Sequence, residues 1–276
     1  MPTQTTKLSF WGVRGSTPTV DRATLRYGGN TPCLELTTPD GTRFILDCGT
    51  GLRMLGNRWT AAAGANGIDA HIFVTHYHWD HIQGLPMFTP LQYPGVTLDI
   101  HGAVIDDRTP REVLARVMGP PWWPVTLAEC RATVRYHPLE GPVTVGRVTV
   151  SPVALNHPQG VTGFRLDAAR SIMIATDHES GEPAADARLR ELARGVGVLV
   201  HDAQYTPQER RDTRRGWGHS DWEAATAAAR DAGARRLVIT SHDPDRTDEQ
   251  IDAIRGMARS RFPKTDAAFD GMTIPL

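Results

Sequence analysis

The chain has 276 residues, of which 40% are hydrophobic, so it is long enough to bury a large core, and we predict a single domain over residues 1–276. Lys and Arg total 30 against 31 for Asp and Glu, so there is no global basic field of the kind that favours nonspecific binding to polyanions. The three cysteines are too few and too scattered for a disulfide framework or a CxxC site, and we interpret them as reduced and structural.

The N-terminal segment lacks a basic stretch followed by a long apolar one. No apolar run in the chain approaches roughly twenty residues, the length that spans a bilayer. We therefore expect a soluble, cytoplasmic protein with no membrane contact.

Apolar runs of strand length alternate along the chain with helical stretches rich in Ala, Arg, Glu and Leu. The predicted strands are Lys7–Val13, Cys33–Thr37, Arg43–Asp47, Ala70–Thr75, Thr97–His101, Val143–Ala154, Gly163–Leu166, Ile172–Thr176, Val196–His201 and Leu237–Thr240. The predicted helices are Ala184–Arg194, Asp221–Ala232 and Asp248–Arg259. Ser220 with Glu223, and Thr247 with Gln250, have the spacing of capping boxes at the starts of the last two helices. The alternation predicts an α/β protein.

Four potential metal ligands directly follow the strand predicted to end near Thr75, and they are His76, His78, Asp80 and His81. A sharp turn from this strand into a helix would aim the first two at one ion and the last two at a second ion. Imidazole and carboxylate donors without a thiolate suit zinc, manganese or iron better than magnesium or calcium. A chance histidine-rich turn would rarely have this spacing, so the motif predicts a dinuclear metallohydrolase.

Together with three later residues, this motif resembles the signature of the metallo-β-lactamase superfamily. His157 in ALNHPQG, Asp177 in SIMIATDHE and His242 in RRLVITSHDPD each stand near the end of a predicted strand, although His157 or His242 alone would fit an ordinary loop histidine. The resemblance implies a four-layer αββα sandwich with two divalent ions at one edge of its sheets, Zn²⁺ first and Mn²⁺ or Fe²⁺ as alternatives. The implied ligands are His76, His78 and His157 for one ion and Asp80, His81 and His242 for the other, with Asp177 bridging.

Two further motifs resemble the phosphodiesterase branch of that superfamily, which includes tRNase Z-type nucleases and cyclic-nucleotide phosphodiesterases. The resemblance implies that Asp47, before a glycine turn, braces a metal ligand, whereas local sequence fits an Asx turn equally well. It also implies that Asp202 in HDAQ orients His219 in GHS, a histidine that is not a ligand. In that branch the motif usually reads HEAT, with glutamate where this chain has Asp202, so the shorter side chain must still reach His219. The alternative is that His219 is a surface histidine beside a helix cap.

The implied pairing suits phosphodiester hydrolysis. An imidazolium at His219 would stabilise or protonate the leaving oxygen, and Asp202 would keep that imidazolium charged and oriented. A metal-bridging hydroxide would attack phosphorus, and Asp80 would be essential as a ligand. The positive end of the helix that follows Ser220 would favour an anionic group nearby.

We predict a small phosphodiester substrate, most directly a cyclic nucleotide, because the chain is nearly neutral and has no obvious long basic or glycine-rich arm for precursor tRNA. A tRNase Z-like nuclease acting on RNA 3′ ends and a lactone or carboxylic ester hydrolase remain alternatives, since the same metal pair activates water for each. A nonenzymatic, metal-stabilised binding module conflicts with a complete ligand set.

Two aromatic residues and two arginines have more than one interpretation. Trp122 and Trp123, fixed by prolines, would offer a wall on which a base stacks, but a hydrophobic loop anchor or a dimer contact fits as well. Arg14 and Arg53 would meet phosphate, but isolated arginines are usually solvated. We also expect a homodimer.

Overall fold

The computed structural model describes residues 5–63 and 67–276, and contacts among these residues divide them into two compact units. The first unit comprises the described parts of Met1–Gly12, Asn30–Glu140 and Gly271–Pro275. The second comprises Val13–Gly29, Gly141–Asp270 and Leu276. Within the described ranges, no helix is long and apolar enough to cross a membrane.

Strands and helices follow one another in both units. In chain order they are β1 (Lys7–Gly12), β2 (Cys33–Thr37), β3 (Arg43–Leu46), α1 (Gly51–Ala63), β4 (Ile68–Phe73), α2 (Trp79–Ile82), β5 (Val96–Gly102), α3 (Pro110–Val117), β6 (Thr133–Pro138), β7 (Val143–Val145), β8 (Val148–Leu155), β9 (Val161–Asp167), β10 (Ser171–Ala175), α4 (Pro183–Leu192), β11 (Val198–Asp202), α5 (Pro207–Glu209), α6 (Trp222–Asp231), β12 (Leu237–Thr240), α7 (Asp248–Arg261), β13 (Thr265–Ala267) and β14 (Thr273–Pro275). The predicted α/β class is confirmed.

Each unit has its own mixed sheet. The first has the strand order β14-β1-β2-β3-β4-β5-β6, and the second has the order β13-β12-β11-β10-β9-β8-β7. Strands β3 to β6 are parallel to one another, and so are strands β10 to β13. Because the C-terminal ends of parallel strands share one edge of a sheet, the loops that follow them gather their side chains at that edge.

Apolar side chains in register hold the first sheet against its helices. Ile45, Ile72 and Ile100 lie opposite one another on β3, β4 and β5, and they pack in one buried cluster with Leu52 and Leu55 of α1. In the second unit, β11 and β12 are buried along their whole lengths, and each begins with three apolar residues, as is typical of parallel strands covered on both faces. Burying one such side chain contributes about 1.5–3 kcal/mol.

Most predicted strands are confirmed, and two have the predicted bounds, namely Cys33–Thr37 and Leu237–Thr240. The run predicted as one strand over Val143–Ala154 is a hairpin instead, because the chain turns at Gly146 with φ 56° between β7 and β8. Helix α1 is missing from the predicted elements, since Gly51 and Gly56 interrupt its helical pattern.

One of the two predicted capping boxes is wrong. The N-cap of α6 is Asp221, whose carboxylate accepts a hydrogen bond from the backbone N–H of Ala224. Ser220 is buried and is used elsewhere, because its hydroxyl donates to the carbonyl of His178 and accepts from the N–H of Ser180. The carboxylate of Asp221 is a negative group of the kind that the dipole favours at a helix N-terminus.

The second capping box is confirmed. The hydroxyl of Thr247 accepts from the N–H of Gln250, whose side chain accepts in return from the N–H of Thr247. Replacing Thr247 with alanine is expected to lower the free energy of unfolding by about 0.5–2 kcal/mol, measured by urea denaturation. The exposed Ser260 lies near the other end of α7, and Ser260→Ala should change that free energy by less than about 0.5 kcal/mol. Equal losses in both variants would contradict the capping role.

Candidate metal centre

The loop after β4 brings together the four ligands predicted in the first unit. His78 precedes α2, and Asp80 and His81 lie in its first turn. The ring centroid of His76 is 4.5 Å from that of His78 and 4.2 Å from that of His81. Oδ2 of Asp80 is 3.3 Å from Nε2 of His81. Four side chains with metal-binding atoms therefore face one another within a single short loop.

Asp47 braces this loop from the adjacent parallel strand. It follows β3 with φ 65°, and its carboxylate accepts hydrogen bonds from the N–H of Thr75 at 2.7 Å and from its hydroxyl at 2.9 Å. The same carboxylate accepts from Nδ1 of His81 at 2.8 Å. Burial raises the pKa of Asp47, and the contacts with His81 and Thr75 oppose that rise. The bracing contact implied for Asp47 is therefore present.

These hydrogen bonds set the tautomers of two histidines. The hydroxyl of Thr75 has one proton, which it donates to Asp47, so it accepts from Nδ1 of His76 at 3.0 Å. Nδ1 of His81 likewise donates to Asp47. Nε2 of each ring is then the nitrogen with a lone pair for a metal, an arrangement typical of metal-binding histidines.

Asp47→Asn is expected to weaken binding of divalent metal by about 10- to 100-fold. The two carboxylate oxygens accept hydrogen bonds from Thr75 and His81, whereas an asparagine side chain has only one oxygen that can accept them. Competition with a chromophoric chelator measures this change. Asp69→Asn is the matched control, since Asp69 is exposed on β4 and should leave the affinity unchanged. Wild-type affinity in Asp47→Asn would contradict the bracing role.

A second group of predicted residues meets in the second unit. His157 follows β8 and Asp177 follows β10, and Nε2 of the histidine is 3.9 Å from Oδ2 of the aspartate. Nδ1 of His157 donates to the carbonyl of Gly218 at 2.7 Å, which again leaves Nε2 for a metal. Ligand atoms of Asp177, Asp202 and His219 lie within 4.8 Å of one another.

His242 lies at the end of β12 in a tightly held turn. The hydroxyl of Ser241, the preceding residue, donates to Asp177 at 3.2 Å. Burial lowers the pKa of His242 to about 4, so its imidazole is neutral, the form that binds metals. Arg14 is fully buried beside this turn and donates to the carbonyls of Asp243 and Arg246, so its interpretation as a solvated cation is wrong.

The shorter acidic residue at Asp202 does reach His219. Oδ2 of Asp202 lies 2.7 Å from Nδ1 of His219, and Oδ1 accepts from the N–H of Ser220 at 2.7 Å. Both side chains are buried, so His219 is not a surface histidine. Burial raises the pKa of Asp202, and His219 opposes that rise through its charge and its hydrogen bond. The arrangement fixes the His219 ring and can stabilise its charged form.

Glu179 is a buried acidic residue that the motifs do not single out. Its carboxylate accepts from the N–H of Gly216 at 2.7 Å and from the N–H of Gly218 at 2.8 Å. Gly218 has φ 88°, and a Cβ there would lie 2.2 Å from Nδ1 of His157, so only glycine fits. Glu179 therefore holds the turn that orients His157 and leads into His219. Its position two residues after Asp177 was the only local signal.

The donor groups fit a divalent ion such as zinc. They are imidazoles and carboxylates, and Nδ1 of His76, His81 and His157 is hydrogen-bonded in each case. Asp47 and Gly218 provide two of the three bonds that hold these rings. Each unit thus has at least one histidine whose Nδ1 is hydrogen-bonded and whose Nε2 has a lone pair for a metal.

The chain resembles known proteins both in sequence and in fold. The family described as the Beta-lactamase superfamily domain matches residues 42–242. Ribonuclease Z of Halorubrum lacusprofundi is 26% identical over 307 aligned residues, which cover 93% of this chain and 92% of that protein. A ribonuclease BN of Escherichia coli is 28% identical, with 96% of this chain and 98% of that protein covered. The metallo-beta-lactamase fold protein YhfI from Bacillus subtilis superposes with a TM-score of 0.74 at 18% identity, over 98% of each chain.

Proposed function

The chain belongs to the beta-lactamase superfamily of metal-dependent hydrolases, and we propose that it is a phosphodiesterase acting on a small phosphodiester, most directly a cyclic nucleotide. Its fold is the metallo-β-lactamase fold expected from the sequence. The observation that carries the proposal is the buried pair of Asp202 and His219, joined at 2.7 Å.

The pair supports cleavage of a phosphodiester because the alkoxide that leaves phosphorus needs a proton or a positive charge. An imidazolium at His219 supplies either one from Nε2, while Nδ1 stays bonded to Asp202. The second hydrogen bond of Asp202, from the N–H of Ser220, keeps its carboxylate from rotating with the ring. A lactone or thioester hydrolase has less use for such a pair.

We propose that seven side chains bind two divalent ions, and they are His76, His78 and His157 for one, Asp80, His81 and His242 for the other, and Asp177 between them. Zn²⁺ is the first candidate, and Mn²⁺ and Fe²⁺ have compatible donor preferences. Bound ions of this kind lower the pKa of water toward about 7 and so supply a hydroxide nucleophile. The hydrogen bonds to Nδ1 of His76, His81 and His157 support this assignment.

RNA 3′ ends are the second candidate substrate. The relatives covered along 92–98% of their length are named ribonucleases Z and BN, which favours RNA. The near-neutral charge of this chain favours a small diester instead, because RNA binding depends strongly on basic side chains. Hydrolysis of a lactone or carboxylic ester is the third candidate. The single domain, the homodimer and the cytoplasmic location remain part of the proposal.

A substrate panel tests the proposal. Protein loaded with zinc or manganese is incubated with 3′,5′- and 2′,3′-cyclic nucleotides, a precursor RNA with a 3′ trailer, and a set of lactones, and the products are separated by liquid chromatography. Linear monophosphates from the cyclic nucleotides are expected. Cleavage of RNA alone would assign the second candidate, and hydrolysis of lactones alone would exclude a phosphodiesterase.

A further inference from the structure

A basic and aromatic segment leads into His219. Residues 210–215 contain four arginines and one aspartate. Trp217 comes after this run, two positions before His219. Trp217 is 55% exposed, although Gly218, His219 and Ser220 directly after it are buried. A large apolar side chain is therefore presented to solvent beside the residue proposed to assist the leaving oxygen.

The backbone on both sides of Trp217 is fixed. The carboxylate of Glu179 is buried and accepts from the N–H of Gly216 and from the N–H of Gly218. Arg210, at the start of the segment, donates to the carbonyl of Ser180 and forms an ion pair with Asp221 at 3.1 Å. An exposed tryptophan held in this way has already lost much of the conformational freedom that binding would otherwise cost.

A continuous set of ring and guanidinium contacts joins Trp217 to His219. The guanidinium carbon of Arg214 lies 4.2 Å from the Trp217 ring centroid and 5.9 Å from that of Tyr205. The ring of Tyr205 meets that of His219 edge-on, with centroids 5.8 Å apart. Arg214 thus covers one face of the indole and adds a positive charge beside it, the combination that binds a nucleobase and its phosphate.

We propose that Trp217, backed by Arg214, is a stacking platform for the nucleobase of the substrate, so that the site prefers nucleotide diesters to diesters without a base. This specificity rests on the proposed phosphodiesterase function. Stacking of a base on an aromatic side chain corresponds to about 5- to 150-fold in affinity. Trp122, which with Trp123 was one of the alternatives for a stacking wall in the sequence, lies in the first unit and is 76% exposed.

Binding and turnover are measured on metal-loaded wild type, Trp217→Ala, Trp217→Phe and Trp122→Ala. Calorimetry compares AMP with ribose 5-phosphate, which lacks the base. Steady-state kinetics compare a cyclic nucleotide with glycerol 1,2-cyclic phosphate, a diester without a base, followed by phosphorus NMR. We expect Trp217→Ala to weaken AMP binding and raise KM for the cyclic nucleotide by about 5- to 150-fold, with little change for either base-free ligand.

Trp217→Phe should retain most of the affinity, and Trp122→Ala should match the wild type. Equal affinity of the wild type for AMP and ribose 5-phosphate would overturn the platform, and so would an equal loss for both ligands in Trp217→Ala. Turnover tests the proposed function separately, because a protein that hydrolyses neither diester still reports on stacking through AMP binding. Circular dichroism verifies that each variant is folded.

Discussion

Asp80→Ala is expected to remove one of two bound metal ions and to abolish turnover of every substrate. The carboxylate of Asp80 is buried, and its Oδ2 is 3.3 Å from Nε2 of His81, so the two atoms are placed to bind the same ion. Without the carboxylate, that ion loses a negatively charged ligand that also offsets its charge. Metal ions contribute several kcal/mol of transition-state stabilisation, so the loss in kcat/KM should be at least about 10³-fold.

Metal content by mass spectrometry and turnover are measured on the same preparation. Wild type and Glu140→Ala, which removes an exposed carboxylate of the first unit, should both contain two ions and be fully active. Asp80→Ala should contain one ion and be inactive, and His242→Ala should behave in the same way. Full activity in a metal-depleted Asp80→Ala protein would exclude the proposed ligand set.

The loop proposed to bind metal was predictable because its information is local. His76, His78, Asp80 and His81 lie within six residues, so the spacing alone places them together once β4 ends and α2 begins. The brace from Asp47 needed more than local sequence, since its carboxylate reaches His81 over 34 positions. The family resemblance implied that contact, whereas the local pattern fitted an Asx turn equally well.

Glu179 and Trp217 show what local patterns miss. Glu179 bonds the N–H groups of Gly216 and Gly218, which lie 37 and 39 positions further along the chain, and backbone donors leave no signature in a sequence. Those long-range bonds hold the backbone on both sides of Trp217. Ser220 shows the converse, because it has the spacing of a capping box but its hydroxyl bonds His178 and leaves the cap to Asp221. Tertiary contacts decide among options that local spacing allows.

His219→Ala is expected to lower kcat for a phosphodiester by about 10²- to 10⁴-fold, the usual contribution of a general acid. Metal content decides between two roles for this residue, since ligand atoms of Asp177, Asp202 and His219 lie within 4.8 Å of one another and would also suit an ion. Two ions in His219→Ala support the general acid, whereas loss of an ion would make His219 a ligand. Asp202→Asn should reduce kcat less, because the ring loses its orienting charge but keeps its acidic N–H.

The dependence on the leaving group separates proton donation from a structural role. A general acid matters most when the departing oxygen is strongly basic, as the ribose oxygen of a cyclic nucleotide is. It matters least for p-nitrophenolate, which departs without a proton. His219→Ala should therefore lose far more activity on a cyclic nucleotide than on bis(p-nitrophenyl) phosphate. A distorted site would lose activity on both diesters equally. If the same variant still hydrolyses a lactone, the residues proposed to bind metal still activate water, and only the residue specific to phosphodiesters is gone.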